Sequence, residues 1–267
     1  MLKVVVVGAA GKMGQRIGVL ALQHQQVELV GALEMSGHGA VGRNFGEVSG
    51  VSGTTVVISD NVGDTISPAG VVIDFTSPEA TLEHVRACAA AKKPIVIGTT
   101  GLTDDQVRQI RELSVSIPIV LSPNMSVGVN LLLKVLADVA PVLADDYDIE
   151  IVEAHHRLKK DAPSGTALKM AGVIAQAIDR NLAEVAVYAR QGMIGERTID
   201  KIGIQTVRAG DIVGEHTVLF GAIGERIEFT HKASSRDTFA AGALRAALWL
   251  QDKPAGLYDM QDVLGLK

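Results

Sequence analysis

The sequence predicts an α/β fold in two parts: a parallel sheet wrapped by helices, then a smaller α+β unit with a mixed, open sheet. Three observations predict it. Over the first half, short β-branched apolar runs alternate with helical periodicity, as buried parallel strands and crossover helices require. Strand-like runs then follow at 185–189, 204–209, 213–220 and 225–231, the last two joined by the hairpin-like link Gly221-Ala-Ile-Gly224. The composition agrees, with 28 glycines for tight turns, 47% hydrophobic residues and few aromatics.

Leu2 to Val7 is a continuous apolar run and reads as a buried strand. It leads into Gly8-Ala9-Ala10-Gly11-Lys12-Met13-Gly14 and a helix through about His24. Strand, glycine turn and helix form the Rossmann-like setting in which such glycines bind a dinucleotide. Gly8 permits the turn, Gly11 admits a pyrophosphate, and Gly14 lets helix and strand approach. The G-x-x-G-x-x-G spacing is a relative of the G-x-G-x-x-G fingerprint, and alone it also fits a turn without a ligand. Glu34 strengthens the nucleotide reading. It closes the second apolar run, Val27 to Leu33, 20 residues after Gly14, where a carboxylate accepts hydrogen bonds from ribose hydroxyls.

Gly37 to Gly53 lacks periodicity and reads as a loop. Further strands are expected at 54–59, 70–76, 94–97 and 117–121, with a helix from Pro78 and another opened by a Thr103–Gln106 capping box. Ligands of open α/β sheets lie beyond the carboxyl ends of the strands. Gly98-Thr99-Thr100 and Ser122-Pro123-Asn124-Met125 stand at such ends and are expected to wall the nicotinamide half, although turns alone also favour these residue types. Val127 to Leu143 reads as a long helix into the second domain. Asp237 to Leu250 is a helix expected to pack back on the first domain, and Pro254 to Lys267 reads as a short tail. The expected domains are 1–126 with 237–267 for the dinucleotide, and 127–236 for substrate and oligomerisation.

The second domain opens with Tyr147 to Val152, a strand leading into Glu153-Ala-His155-His156-Arg157-Leu158-Lys159-Lys160-Asp161-Ala-Pro163-Ser164-Gly165-Thr166-Ala167. Leu168, Ala171, Ile174 and Ile178 then recur at helical spacing, with Ser164 or Thr166 as N-cap. Free N–H groups at a helix N-terminus, near the charge of Lys159, suit a carboxylate or phosphate. A histidine beside them titrates near neutrality and can donate a proton. Separately, a Ser-Gly-Thr cap merely starts a helix, and a His-His pair is usually solvated. Together they make a candidate site. Adjacent strand residues point to opposite faces, so His155 and His156 are poorly placed to grip one ion, and no metal is expected. His24, His38 and His84 read as surface residues.

Net charge is −5 with scattered lysines and arginines, which fits neither a nucleic-acid nor an anionic-membrane footprint. The single cysteine, Cys88, excludes an intramolecular disulfide and reads as a small buried hydrophobe. No apolar run reaches the ~20 residues of a membrane span. With no signal region expected, a cytoplasmic protein is the expectation. The open second sheet has edges to hide, so oligomerisation is expected too.

The stretch Glu153 to Ala167 resembles the dihydrodipicolinate reductases of lysine and diaminopimelate biosynthesis. The likeness extends to Gly8–Gly14, Ile73-Asp74-Phe75-Thr76, Gly98–Gly101 and Ser126-Val-Gly-Val-Asn130. It continues through Gly195-Glu196-Arg197, Arg208–His216 and Thr230–Arg236. The resemblance implies reduction of a cyclic unsaturated dicarboxylate by hydride from NADH or NADPH. It implies His155 as proton donor, Lys159 assisting, and His156, Ser164, Gly165 and Thr166 around the substrate carboxylates. It also implies a homotetramer built through the second sheet. Many relatives carry arginine after the acid of strand two to meet the 2′-phosphate of NADPH. Here Met35 stands there: either Lys12 in the glycine loop supplies the charge instead or phosphate recognition is weak, and NADH is expected to serve at least as well as NADPH. Two rivals are a dehydrogenase of another amino acid or semialdehyde, and a nucleotide-sensing regulator. Neither has reason to carry His155, Lys159 and the Ser164–Thr166 cap together.

Overall fold

The computed structural model describes all 267 residues. Two compact units emerge, one of residues 1–127 with 236–267 and one of residues 128–235. In the first, the chain runs β1 (Leu2–Val7), α1 (Lys12–Gln23), β2 (Val27–Leu33), α2 (Phe45–Ser49), β3 (Ile58–Ser59), α3 (Val62–Ile66) and β4 (Val71–Asp74). It continues through α4 (Pro78–Ala91), β5 (Ile95–Ile97), α5 (Asp104–Leu113) and β6 (Pro118–Leu121). The helix α6 (Val127–Leu143) then leads into the second unit. That unit holds β7 (Asp148–His155), α7 (Gly165–Ala177), α8 (Leu182–Val185), β8 (Ala186–Val187), β9 (Ile202–Arg208), β10 (Gly214–Ala222) and β11 (Glu225–Ala233). The chain returns to the first unit as α9 (Asp237–Leu250), β12 (Gly256–Tyr258) and α10 (Met260–Leu264).

The first unit is a seven-stranded, all-parallel sheet in the order β12-β6-β5-β4-β1-β2-β3. Its strands bury both faces. Val4, Val6 and Ile73 face α1 and α9, while Val5, Val7 and Val72 face α4 and α5. This explains the continuous apolar runs. The order reverses between β1 and β4, and the Rossmann-like topology places ligands beyond the carboxyl ends there. The Thr103–Gln106 capping box is present at α5.

The second unit has a five-stranded mixed sheet, β11-β10-β7-β9-β8, with β7 parallel to β9 and antiparallel to β10. Ile149, Ile151, Ile202, Ile204, Val218 and Phe220 pack against Leu136 of α6 and Met170 and Ile174 of α7. The alternate residues Val152 and Val207 are exposed on the opposite face.

Several element boundaries need correction. The 54–59 run pairs only at Ile58–Ser59. Within the Gly37–Gly53 loop, Asn44 accepts from Gly46 N–H at 2.7 Å and starts the short α2. In the 185–189 run, Asn181 caps α8 before two residues of β8. The 254–267 tail supplies β12, an edge strand parallel to β6, and α10, whose Met260 and Val263 enter the core. The strand expected at 147–152 runs on to His155.

Candidate functional site

In the first unit, the turn after β1 is built for glycine. Gly8 has φ +74°, in the left-handed region, and its N–H and that of Ala9 donate to Leu33 O at 2.9 and 3.0 Å. A Cβ on Gly14 would run into the Gly8 carbonyl, so α1 packs this close to β1 only with glycine there. Gly11 caps α1 with no side-chain hydrogen bond and no acid in the first turn. The first turn of α1 thus carries no acid of its own, which fits a pyrophosphate at the positive pole of the helix. Lys12 is exposed beside it and Met13 packs partly on the core.

Glu34 lies just past β2 and reaches the same turn. Its Oε2 accepts from Ala10 N–H at 3.0 Å and its Oε1 from Met35 N–H at 3.0 Å. The acid and the glycine turn are thus one assembly, with the acid fixed at the position where a ribose would be read. Met35 is 70% exposed.

The remaining loops of this sheet edge follow β4, β5 and β6. Asp74, fully buried, accepts from Thr76 Oγ1 at 2.6 Å and pairs with His84 Nδ1 at 2.8 Å. Thr99 Oγ1 accepts from Thr76 N–H at 3.1 Å and from Thr81 Oγ1 at 2.8 Å. The Thr99 side chain therefore fastens its own loop, while Thr100 is exposed. Gly98 packs against the Phe75 ring, which a Cβ would overlap. Ser122 turns inward and donates to Asn124 O at 2.9 Å, and Asn124 Oδ1 accepts from Ser126 N–H at 2.9 Å. Pro123 is exposed, whereas Met125 is buried in the core with Gly242 of α9 against its carbonyl. His84 is buried, not on the surface: the fully buried Asp74 draws it inward from α4.

In the second unit, Glu153 and His155 stand two residues apart on β7 and so share a face. Glu153 is 0% exposed and His155 is 9% exposed. His155 Nδ1 meets Glu153 Oε2 at 2.6 Å. Arg208 of β9 forks onto the same carboxylate at 2.8 Å to each oxygen, and Thr206 Oγ1 donates at 3.1 Å. Ser164 N–H donates to Glu153 Oε1 at 3.0 Å. Ser164 is also the N-cap of α7: its Oγ accepts from Ala167 N–H at 3.2 Å and meets His216 Nε2 at 3.0 Å. Gly165 and Thr166 form the first turn, and open space lies where a Cβ on Gly165 would stand.

His156 leaves the strand; its N–H donates to Ile212 O at 2.7 Å, and its buried Nδ1 has no protein partner. Lys159 lies in the following loop, its Nζ 2.9 Å from Asp161. The structure therefore brings His155 and Ser164 onto one carboxylate, while Lys159 pairs with Asp161.

The electrostatics follow from this packing. Burial pushes the Glu153 carboxyl up, but Arg208, His155 and the Ser164 N–H outweigh it and hold the group at about 2. Burial lowers His155, opposed by Glu153, with a net downward result. Burial, then the charge of His155, takes His216 down to about 4. The two rings meet edge to face at 5.2 Å.

Glu153, Thr206, Arg208 and His216 belong to this cluster and carried no role in the sequence reading. The two-residue spacing of Glu153 and His155 was a usable signal. Arg208 and His216 reach the site through strand register, and no local pattern announces them. No group of three His, Cys, Asp or Glu side chains is arranged to hold a metal ion, and no helix is long and apolar enough to cross a membrane.

Residues 2–125 match the family model described as dihydrodipicolinate reductase, N-terminus, and residues 128–264 match its C-terminus counterpart. The chain is 54% identical to a 4-hydroxy-tetrahydrodipicolinate reductase of Syntrophus aciditrophicus, over 100% of both chains. It is 53% identical to one of Geobacter sulfurreducens, again over 100% of both. A solved structure of dipicolinate-bound dihydrodipicolinate reductase from Paenisporosarcina sp. TG-14 aligns with TM-score 0.78 at 28% identity, covering 98% of each chain. An amine dehydrogenase from Mycobacterium smegmatis, at 12% identity and TM-score 0.61 over 96% of this chain and 94% of its own, shares the fold alone. With both halves of the family model matched and full-length relatives above half identity, the chain belongs to the dihydrodipicolinate reductase family.

Proposed function

We propose that this chain catalyses the reduction for which its relatives are named. It converts the cyclic dicarboxylate 4-hydroxy-tetrahydrodipicolinate, or the dihydrodipicolinate formed by its loss of water, to tetrahydrodipicolinate in lysine and diaminopimelate biosynthesis. The observation that carries this reading is the join between a proton donor and a seat for a carboxylate: His155 and Ser164 share Glu153. The bound nicotinamide supplies the hydride.

The first unit binds the nucleotide. Gly8, Ala9, Ala10, Gly11, Lys12 and Met13 receive the pyrophosphate at the end of α1, and Glu34 accepts from the ribose. The Gly98–Thr100 and Ser122–Met125 loops wall the nicotinamide. The second unit binds the substrate. The N–H groups of Gly165 and Thr166 hold one carboxylate, aided by Ser164 and by the unpartnered Nδ1 of His156. Lys159 exchanges Asp161 for the substrate and stabilises the charge that hydride addition leaves. His155 then delivers the proton from Nε2.

NADH serves at least as well as NADPH, because Met35 offers no cation to a 2′-phosphate. The enzyme needs no metal and acts in the cytoplasm. It assembles as a homotetramer through the open face of the second sheet, where Val152 and Val207 are exposed.

The test is initial-rate oxidation of NADH and NADPH, with substrate generated in situ by its synthase from pyruvate and aspartate semialdehyde. Substrate-dependent turnover with both nucleotides, NADH at least equal, is expected. Nucleotide binding without turnover would leave a sensing protein or a different substrate. A large preference for NADPH would remove the Met35 reading alone.

A further inference from the structure

The Glu153 carboxylate is surrounded only by donors. Oε1 accepts from Ser164 N–H at 3.0 Å, Thr206 Oγ1 at 3.1 Å and Arg208 Nη2 at 2.8 Å. Oε2 accepts from Arg208 Nη1 at 2.8 Å and meets His155 Nδ1 at 2.6 Å. An ionised carboxylate has no hydrogen to give, so the proton of the last bond belongs to His155 Nδ1. That holds for the imidazolium and for the neutral ring alike. Every protein hydrogen bond of the His155 ring is made through Nδ1, and Nε2 faces Gly214, where an added Cβ would come within 3.1 Å.

We propose that Glu153 is the positioning residue of the proton donor: it pins His155 by Nδ1–H, so that Nε2 alone delivers the proton, and through Ser164 it locks that donor to the helix end that seats the substrate. This rests on the reductase reading above and adds to it the tautomer and the coupling of donor to seat. Hydride addition to the conjugated ring leaves an electron pair on the substrate. The His155 Nε2–H bond breaks, its proton forms a C–H bond with that pair, and the N–H bonding pair stays on Nε2. The neutral ring keeps its other proton on Nδ1 against Glu153, and solvent restores the proton on Nε2.

Other charged groups around His155 act on the same balance. Arg208 of β9 and Lys159 of the loop disfavour the imidazolium, as does His216 of β10 when charged. His231 of β11 lies opposite His216 in register. Glu153 is the counter-charge that opposes them.

The deciding experiment has two arms. In the wild-type protein, ring spectra of 15N-labelled histidine, assigned with the H155Q variant, report the neutral tautomer. The proton is expected on Nδ1, and a neutral ring protonated on Nε2 would overturn the proposal whatever the activity. In the second arm, Glu153→Gln removes the counter-charge. Turnover is expected to fall roughly 10²-fold or more, the alkaline limb of the kcat/KM profile to move to lower pH, and nucleotide binding to stay as it was. Glu153→Asp is expected to return that limb toward its wild-type position. A variant with lower Tm but an unmoved pH profile would make Glu153 merely structural and overturn the positioning role. Should Glu153→Gln fail to fold, the wild-type tautomer decides alone. A wild-type chain that shows the Nδ1–H tautomer yet turns nothing over would sink the reductase reading and leave the pinning of His155 intact.

Discussion

Each unit buries a carboxylate against a histidine, Asp74 with His84 Nδ1 at 2.8 Å and Glu153 with His155 Nδ1 at 2.6 Å, and both carboxylates are fully buried. The distances do not separate them; their other partners do. Asp74 takes its remaining bonds from Thr76 and Thr99, neutral hydroxyls that fasten the ends of two loops. Nearby Cys88 is buried and pushed up to about 12, which leaves it an inert thiol. Glu153 is instead met by a guanidinium and by the N–H of a helix cap. On the function proposed above, a buried acid–histidine pair is thus a loop lock in one unit and a proton donor in the other. The cation and the adjoining helix end make the difference.

The sharpest way to break this comparison is to delete the two histidines in turn. His155→Ala is expected to lower kcat by ~10²–10⁴-fold with nucleotide binding kept, the usual range for a general acid. His84→Ala should act mainly on stability and on the KM for nucleotide, because its pair holds the Gly98–Thr100 loop. Steady-state kinetics with nucleotide titration on both variants settle the roles. A loss of turnover in His84→Ala matching that of His155→Ala would end the distinction.

Acid should find the second unit first. His216 takes up a proton near 6.5 when unfolded but only near about 4 in the fold. The unfolded chain therefore binds more protons between those values, and stability falls as pH drops through them. Glu153 extends the loss: its carboxyl moves from 4.5 to about 2 on folding, so its contribution is complete above 4.5 and disappears as pH falls toward 2. Hydrogen exchange from pH 7 down to 3 is expected to show β7 and β10 losing protection before β4 and β5. The reverse order would contradict the assignment.

Asp74→Asn probes the same contrast more gently. The amide oxygen can keep the threonine hydroxyls, and His84 can change tautomer to accept from the new N–H. The expected cost is about 1 kcal/mol of stability, with the alkaline limb of the pH–rate profile unmoved. A shifted limb would place Asp74 in the proton chemistry after all.

The two pairs also differ in how legible they were. The nucleotide turn could be read because its parts are local: strand, three glycines and helix are consecutive, and Glu34 follows at a fixed distance. The long helices α6 and α9 matched their expected ends because apolar periodicity over several turns is hard to mistake. The Ser164 cap and His155 were visible for the same local reason. Arg208 was not, since 55 residues separate it from Glu153 and only the β7–β9 register joins them. His84 was misread because a histidine on an amphipathic helix looks solvated until a buried partner such as Asp74 is known. β12 was missed because three residues are too few for any period, although Tyr258 meets Trp249 edge to face at 5.2 Å and anchors that edge.

The smallest expected effect lies at the outer rim of the nucleotide turn. Glu34 spends both oxygens on the N–H groups of Ala10 and Met35, which fixes the backbone around position 35 while leaving the side chain 70% exposed. A longer, charged side chain can be placed there without disturbing the turn. Met35→Arg therefore adds a guanidinium where a 2′-phosphate would stand, and a charge-assisted bond of about 1.5–3 kcal/mol, reduced by exposure, amounts to roughly tenfold. The ratio of kcat/KM for NADPH to that for NADH is expected to rise by about that factor, with kcat for NADH unchanged because Met35 touches neither the hydride nor the proton. The gain should shrink as salt is raised, since the new contact is an exposed charge pair. If the ratio stays fixed at low and high salt alike, nucleotide choice is not decided at position 35, and Lys12→Ala becomes the variant to measure.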